Sequence, residues 1–272
     1  MLLATLALLT ALPAHAKPQR VVSLNLCADQ LVLRLADPGN VAAVTWLARD
    51  PAVSVVAERA RAVPVNHGDV EEIAALRPDL VIAGRFTARA ATAMLKRLGY
   101  PVLELDVPET VDAVRAQIVL VADALGEAER GAALAAELDR RLAAVPPPAG
   151  ARPTAAVFRA DGFTVGPGSL IDVLLDRAGL DNLSVRMGLG AYTRLPLETL
   201  VTGRPDLLIV DRADGTYPAL ADDLMRHRAL RAVFAETRTV VVPPRLWTCG
   251  GPQIADAVAI LAAAARDADA RR

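Results

Sequence analysis

A short unit occurs twice in the chain, and it constrains the fold more than any other feature. Glu71-Glu72-Ile73-Ala74-Ala75-Leu76-Arg77-Pro78-Asp79-Leu80-Val81-Ile82 is echoed by Glu198-Thr199-Leu200-Val201-Thr202-Gly203-Arg204-Pro205-Asp206-Leu207-Leu208-Ile209. In each, a helical stretch opens on glutamate and stops before Pro-Asp, which starts an apolar run with strand character. Any α/β unit could use Pro-Asp as a turn. The same step from Glu to Pro, 71 to 78 and 198 to 205, instead points to two related lobes.

The surrounding pattern agrees. Strands are expected at 20–24, 41–44, 79–83 and 101–105, with helices at 29–35, 71–77 and 88–98 between them. The strand runs are apolar throughout, as in a parallel sheet covered on both faces, and alternation of this kind defines an α/β fold. Val111, Val114, Ile118, Val121 and Leu125 share one helical face, which ends at Gly126. Leu134, Leu138, Leu142 and Val145 then mark a helix over 127–145 that joins the lobes. The run Pro146-Pro147-Pro148 must break it. The second half repeats the order, with strands at 154–158, 206–210 and 239–242 and helices at 172–178, 197–202 and 253–266. The organisation expected is an N-terminal lobe over 17–126, a connecting helix over 127–146 and a C-terminal lobe over 147–272.

Residues 1–16 read as a secretory signal, with an apolar core and Ala14-His15-Ala16 before Lys17, although the usual positive n-region is missing. Cleavage after Ala16 would place the protein in the periplasm. No other apolar run approaches the ~20 residues of a membrane span. Lys+Arg 30 against Asp+Glu 31 gives no basic surface for nucleic acid, and 3% aromatics supply few stacking platforms.

Catalytic signatures are missing. Gly166-Pro167-Gly168-Ser169 and Gly188-Leu189-Gly190 lack the third glycine of a dinucleotide loop, and there is no Walker loop, H-E-x-x-H or G-x-S-x-G. Beyond the leader only His67 and His227 remain, which supplies a triad or a bare-metal site poorly. His67 reads as a surface residue. No catalytic residue, resident cofactor or protein-held metal is expected, and the chain is expected to be a monomer.

Over residues 20–272 the chain resembles the periplasmic binding proteins that serve ABC importers for iron-siderophores, haem and vitamin B12. The likeness rests on Arg20-Val21-Val22-Ser23-Leu24-Asn25-Leu26-Cys27 entering a helix, on the two Glu-to-Pro-Asp units, and on the stretch from Gly166 to Asn182. The resemblance implies two lobes bridged by one rigid helix, a ligand in the cleft between them, and one glutamate per lobe docking on permease arginines. Those positions are Glu71 and Glu198. A carboxylate in the first turn of a helix is favourable in any case, and the two readings are compatible.

Ligands of open α/β sheets sit beyond the carboxyl ends of the strands. This rule selects Asn25, Cys27, Trp46, Arg85 and Phe86 in the first lobe. In the second it selects Arg159, Asp211, Arg212, Trp247 and Cys249, with Tyr192 and Arg194 from the glycine-rich stretch before Glu198. Trp46 and Trp247 are expected as walls for a bulky ligand, and Arg85 with Arg212 as a pair for anionic groups of a chelate. Cys27 and Cys249 stay open between an interlobe disulfide, thiol coordination of a ligand metal and free thiols. The leading expectation is a ferric-siderophore binder delivering to an ABC permease and its ATPase, followed by a corrinoid and then a haem binder. A periplasmic enzyme or ligand sensor on the same lobes is the alternative outside transport.

Overall fold

The computed structural model describes residues 17–146, 150–159, 162–211 and 238–270. The leader over 1–16, Pro147 and Pro148, Arg212 and His227 lie outside the described residues. The first lobe runs β1 (Val21–Ser23), α1 (Leu26–Leu35), β2 (Val41–Thr45), α2 (Ala57–Ala60), β3 (Val65–Asn66), α3 (Val70–Ala75), β4 (Leu80–Gly84), α4 (Arg89–Arg97) and β5 (Val102–Leu105). Two helices follow, α5 (Val111–Ala124) and α6 (Ala128–Ala143). The second lobe continues with β6 (Thr154–Phe158), β7 (Phe163–Val165), α7 (Leu170–Arg177), β8 (Asp181–Asn182), α8 (Leu183–Arg186) and β9 (Tyr192–Arg194). It closes with α9 (Leu197–Gly203), β10 (Leu207–Val210), β11 (Arg238–Val241) and α10 (Ile254–Asp269).

The first sheet has the order β3-β2-β1-β4-β5 and the second β11-β10-β6-β8, with every pairing parallel. A separate antiparallel pair, β7-β9, stands on the second lobe. The short strands β3, β7, β8 and β9 carry no sustained apolar run, so periodicity could not announce them.

The echoed units adopt the same local structure. Arg77 and Arg204 both take left-handed backbone, with φ of 47° and 41°, ending α3 and α9 before the buried prolines Pro78 and Pro205. The aspartate that follows binds the first strand of its own lobe. Asp79 accepts from the Gln19 and Arg20 amides at 2.7 and 2.9 Å, and Asp206 accepts from the Thr154 amide at 2.7 Å. Each Pro-Asp therefore fixes the register of a new strand against the sheet's founding strand.

Alternate strand residues serve different cores. Val21, Ile82, Val157 and Ile209 face one continuous apolar cluster that also takes in Ile118, Leu138 and Leu261. Val22, Val81 and Ala83 belong instead to a cluster on the outer face of the first lobe, and Ala156, Phe158 and Leu208 to one on the second. Both faces of each sheet are covered, which explains the uninterrupted apolar strands. The central cluster crosses from lobe to lobe through α5, α6 and α10. Leu134, Leu138 and Leu142 of α6 are buried in it, and Arg141 ties α6 to α10 by an ion pair to Asp256 at 2.6 Å. Gly250, ahead of α10, seats directly on α5; a Cβ there would lie 2.6 Å from the Val114 side chain.

Candidate functional site

Strand order locates the cleft. In the first sheet the order of strand addition reverses between β1 and β4, and in the second between β6 and β10, and such switch points leave a crevice beyond the strand ends. Asn25 follows β1, Arg85 and Phe86 follow β4, Arg159 follows β6 and Asp211 follows β10. A cavity of about 150 Å³ lies there, lined from the first lobe by Asn25, Cys27, Arg85 and Phe86 and from the second by Arg159, Tyr192 and Trp247. An adjoining groove of about 250 Å³ shares Arg159 and Tyr192 and reaches Asp211 and Phe163.

Asn25 caps α1, accepting from the amides of Cys27 and Ala28 at 2.9 and 3.2 Å. Its own amide donates to Thr87 Oγ1 at 3.1 Å. Gly84 makes this approach possible, since a Cβ there would fall 2.7 Å from Thr87 Oγ1 and 2.8 Å from Asn25 Nδ2.

The two described arginines that line the cavity are each matched by a carboxylate. Arg85 meets Asp106 at 2.8 Å, with both side chains more than half exposed. Arg159 Nε meets Asp211 at 2.5 Å, and the Asp211 side chain is only 7% exposed. The expected partner Arg212 lies outside the described residues; among those described, Arg85 shares the cavity with Arg159, and each has an acid beside it. Burial pushes the Tyr192 phenol above its usual pKa, aided by the charge of Glu109 and opposed by that of Arg159.

The two tryptophans do not form facing walls. Trp247 is 1% exposed and packed in the central core while also lining the cavity, and its indole N–H has no hydrogen-bond partner among the described residues. Trp46 is 52% exposed at the end of β2 and does not line the cavity. Strand-exit position alone could not separate a wall from a core anchor. Arg194 does not line the cavity; its guanidinium lies 5.2 Å from the centroid of the Phe163 ring, which lines the adjoining groove. Phe86, at 67% exposure, is the apolar group most open at the rim.

Cys27 and Cys249 form a disulfide, with Cα atoms 5.1 Å apart across 222 residues of sequence. Because the bond joins the start of α1 to the loop ahead of α10, it closes one wall of the cleft covalently. Other lining residues went unrecognised in the sequence. Asp106 follows β5 and the strand-end rule could have found it, whereas Gln117 of α5 and Leu170 and Ile171 of α7 arrive through packing between elements. Among the described residues there is no group of three His, Cys, Asp or Glu side chains able to hold a metal ion.

Glu71 and Glu198 occupy the first turns of α3 and α9, both exposed. Neither forms an ion pair with a described residue. Their neighbour Glu72 instead accepts from the His67 amide at 2.8 Å and meets the exposed His67 ring at 3.4 Å.

Residues 21–242 match the family of periplasmic binding proteins, and the chain belongs to that family, whose members are binding proteins located outside the cytoplasm. Two curated relatives, cobalamin-binding proteins from strains of Halobacterium salinarum, are 29% identical over 224 residues, covering 78% of this chain. The chain spans 60% of their length. Among solved structures, the periplasmic heme-binding protein RhuT from Roseiflexus sp. RS-1 superposes with a TM-score of 0.73 at 24% identity, covering 92% of this chain and 99% of that one. The vitamin B12 binding protein BtuF of Vibrio cholerae gives 0.71 at 17% identity, covering 93% and 98%. At these identities the likeness establishes the fold. No described helix is long and apolar enough to cross a membrane.

Proposed function

We propose that the protein captures a corrinoid in the cleft and delivers it to an ABC permease. One observation carries the choice of ligand: the two described arginines of the cavity, Arg85 and Arg159, each stand against a carboxylate, so among the described residues the cavity offers little uncompensated positive charge. A strongly anionic ferric siderophore would have to displace Asp106 and Asp211 to reach the guanidiniums. Haem would ask for an axial donor, and the raised pKa of Tyr192 works against its phenolate. A corrinoid carries its own cobalt ligands and presents a broad face rimmed with neutral amides. Apolar surface from Phe86, Leu105, Val107, Leu170 and Ile171 suits that face, and Asn25, Gln117, Thr87 and Thr248 offer hydrogen bonds to amides. The cobalamin-binding relatives favour the same reading.

The cavity of about 150 Å³ is smaller than the ~300–1,000 Å³ usual for small-molecule sites. A corrinoid would extend into the adjoining groove beside Tyr192 and part the lobes at the rim opposite the disulfide. Membership of the family supports delivery to a permease, and Glu71 and Glu198 are the carboxylates we assign to docking on a basic permease surface.

The test is a parallel titration of the purified protein with cyanocobalamin, haemin and a ferric tris-catecholate, read by tryptophan fluorescence and equilibrium dialysis. Saturable binding of cyanocobalamin, with weaker binding of the other two, is the expected result. Binding of haemin or the ferric chelate alone would overturn the corrinoid assignment, and binding of none would overturn the cleft.

A further inference from the structure

The end of α1 remote from the cleft carries a feature that ligand capture does not use. A groove of about 510 Å³ runs between the last turn of α1, the segment 55–59 and the middle of α6. Four guanidiniums line it, from Arg34, Arg59, Arg130 and Arg140, against one carboxylate, Glu137.

Some of this charge has a structural use. Arg130 donates to the Leu35 carbonyl at 2.9 Å and meets Asp37 at 2.6 Å, while Arg59 Nη1 donates to the Leu33 carbonyl at 3.2 Å. These bonds satisfy carbonyls at the end of α1. Glu137 is drawn toward Arg141 at 3.5 Å, and Arg141 also holds Asp256. Arg34 and Arg140 have no hydrogen-bond or ion-pair partner among the described residues, and Arg59 keeps most of its donors free. Arg34 is also half-buried. Burial holds its pKa below the ordinary value, opposed by Glu137 and reinforced by the like charges of Arg59 and Arg141. Positive charge partly withdrawn from water, beside more positive charge, is costly unless an anion joins it.

We propose that this groove is a second binding site, for a phosphate-class oxyanion of two or more negative charges held by Arg34, Arg59 and Arg140. The three side chains come from α1, α2 and α6 and line one groove. That arrangement suits a tetrahedral anion with acceptors on several sides better than one planar carboxylate, and guanidinium forks are good phosphate donors. The same chemistry is offered by a free phosphate compound and by the headgroup of an anionic phospholipid.

Calorimetric titration of the purified protein with inorganic pyrophosphate at low ionic strength tests the site, beside co-sedimentation with phosphatidylglycerol vesicles. Saturable binding of either probe, weakened about tenfold or more by Arg34→Gln and by Arg140→Gln, is expected. Loss confined to pyrophosphate identifies a free anion, and loss confined to vesicles identifies a headgroup. Arg140 is exposed on α6, so its variant decides the matter even if Arg34→Gln misfolds. Absence of binding to both probes, or binding indifferent to the substitutions, overturns the proposal. Cyanocobalamin titration of the same variants should be unchanged, which keeps the two sites separable.

Discussion

The Arg159 guanidinium, at the end of β6, is held 2.5 Å from the Asp211 carboxylate at the end of β10, so the second lobe neutralises its own cation at the switch point of its sheet. Replacing Asp211 with asparagine should release Arg159 to the ligand. Competitive titration is expected to show a ferric tris-catecholate, which carries net negative charge, gaining on cyanocobalamin. The folded state should lose ~1–3 kcal/mol, because Arg159 is left partly buried without its acid; urea denaturation measures that loss.

The bond between Cys27 and Cys249 ties together parts of the chain 222 residues apart. Thiol titration of the unreduced protein should find no free cysteine. Replacing both cysteines with serine should cost ~2–4 kcal/mol of stability. Stopped-flow dissociation should also be faster in that variant, since one wall of the cleft is no longer fixed. Unchanged dissociation would mean that packing alone sets the opening.

Glu71 and Glu198 project from separate lobes and line neither the cavity nor its adjoining groove. Glu71→Ala with Glu198→Ala should leave ligand affinity within about twofold of the parent, as for surface changes of less than ~0.5 kcal/mol. Uptake in cells expressing the cognate permease should fall away. Normal uptake by the double variant would dismiss the docking role.

Asp29 lies fully buried in the first turn of α1, accepting from the Thr45 amide at 3.1 Å and from the Thr45 hydroxyl at 2.5 Å. Burial raises its pKa to about 7, against these hydrogen bonds. The unfolded chain gives up this proton near pH ~4, while the native protein keeps it until about 7. Native protein therefore binds the extra proton across that window, and Asp29 makes stability fall as pH rises through it, by up to ~1.4 kcal/mol per pH unit. Above pH ~7 both states are ionised and the contribution levels off. Asp29→Asn should flatten this slope in denaturation curves taken from pH 4 to 8.

Much of the fold was legible because it rests on local signals. The Pro-Asp units mark real strand starts, down to the shared left-handed arginines, and the apolar stripe of Leu134, Leu138 and Leu142 is the buried face of α6. The strand-end rule likewise brought Asn25, Arg85, Phe86 and Arg159 into one cavity. It failed where side-chain direction decides the outcome. Trp46 faces solvent away from the cavity, whereas Trp247 lines the cavity from within the core. Nothing near Arg85 in sequence reveals Asp106 as its partner, because the ion pair depends on β5 lying beside β4.

The apolar cluster shared by both lobes limits how the molecule can move. Lobes joined by a bare linker could swing apart about a free hinge. Here α5, α6 and α10 sit inside a continuous interior that includes Val21 on one side and Ile209 on the other. Close-packed interiors resist volume change, so admitting a ligand calls for small sliding adjustments between helices and a spreading of the rim near Phe86. Heat should accordingly melt the halves in a single cooperative transition.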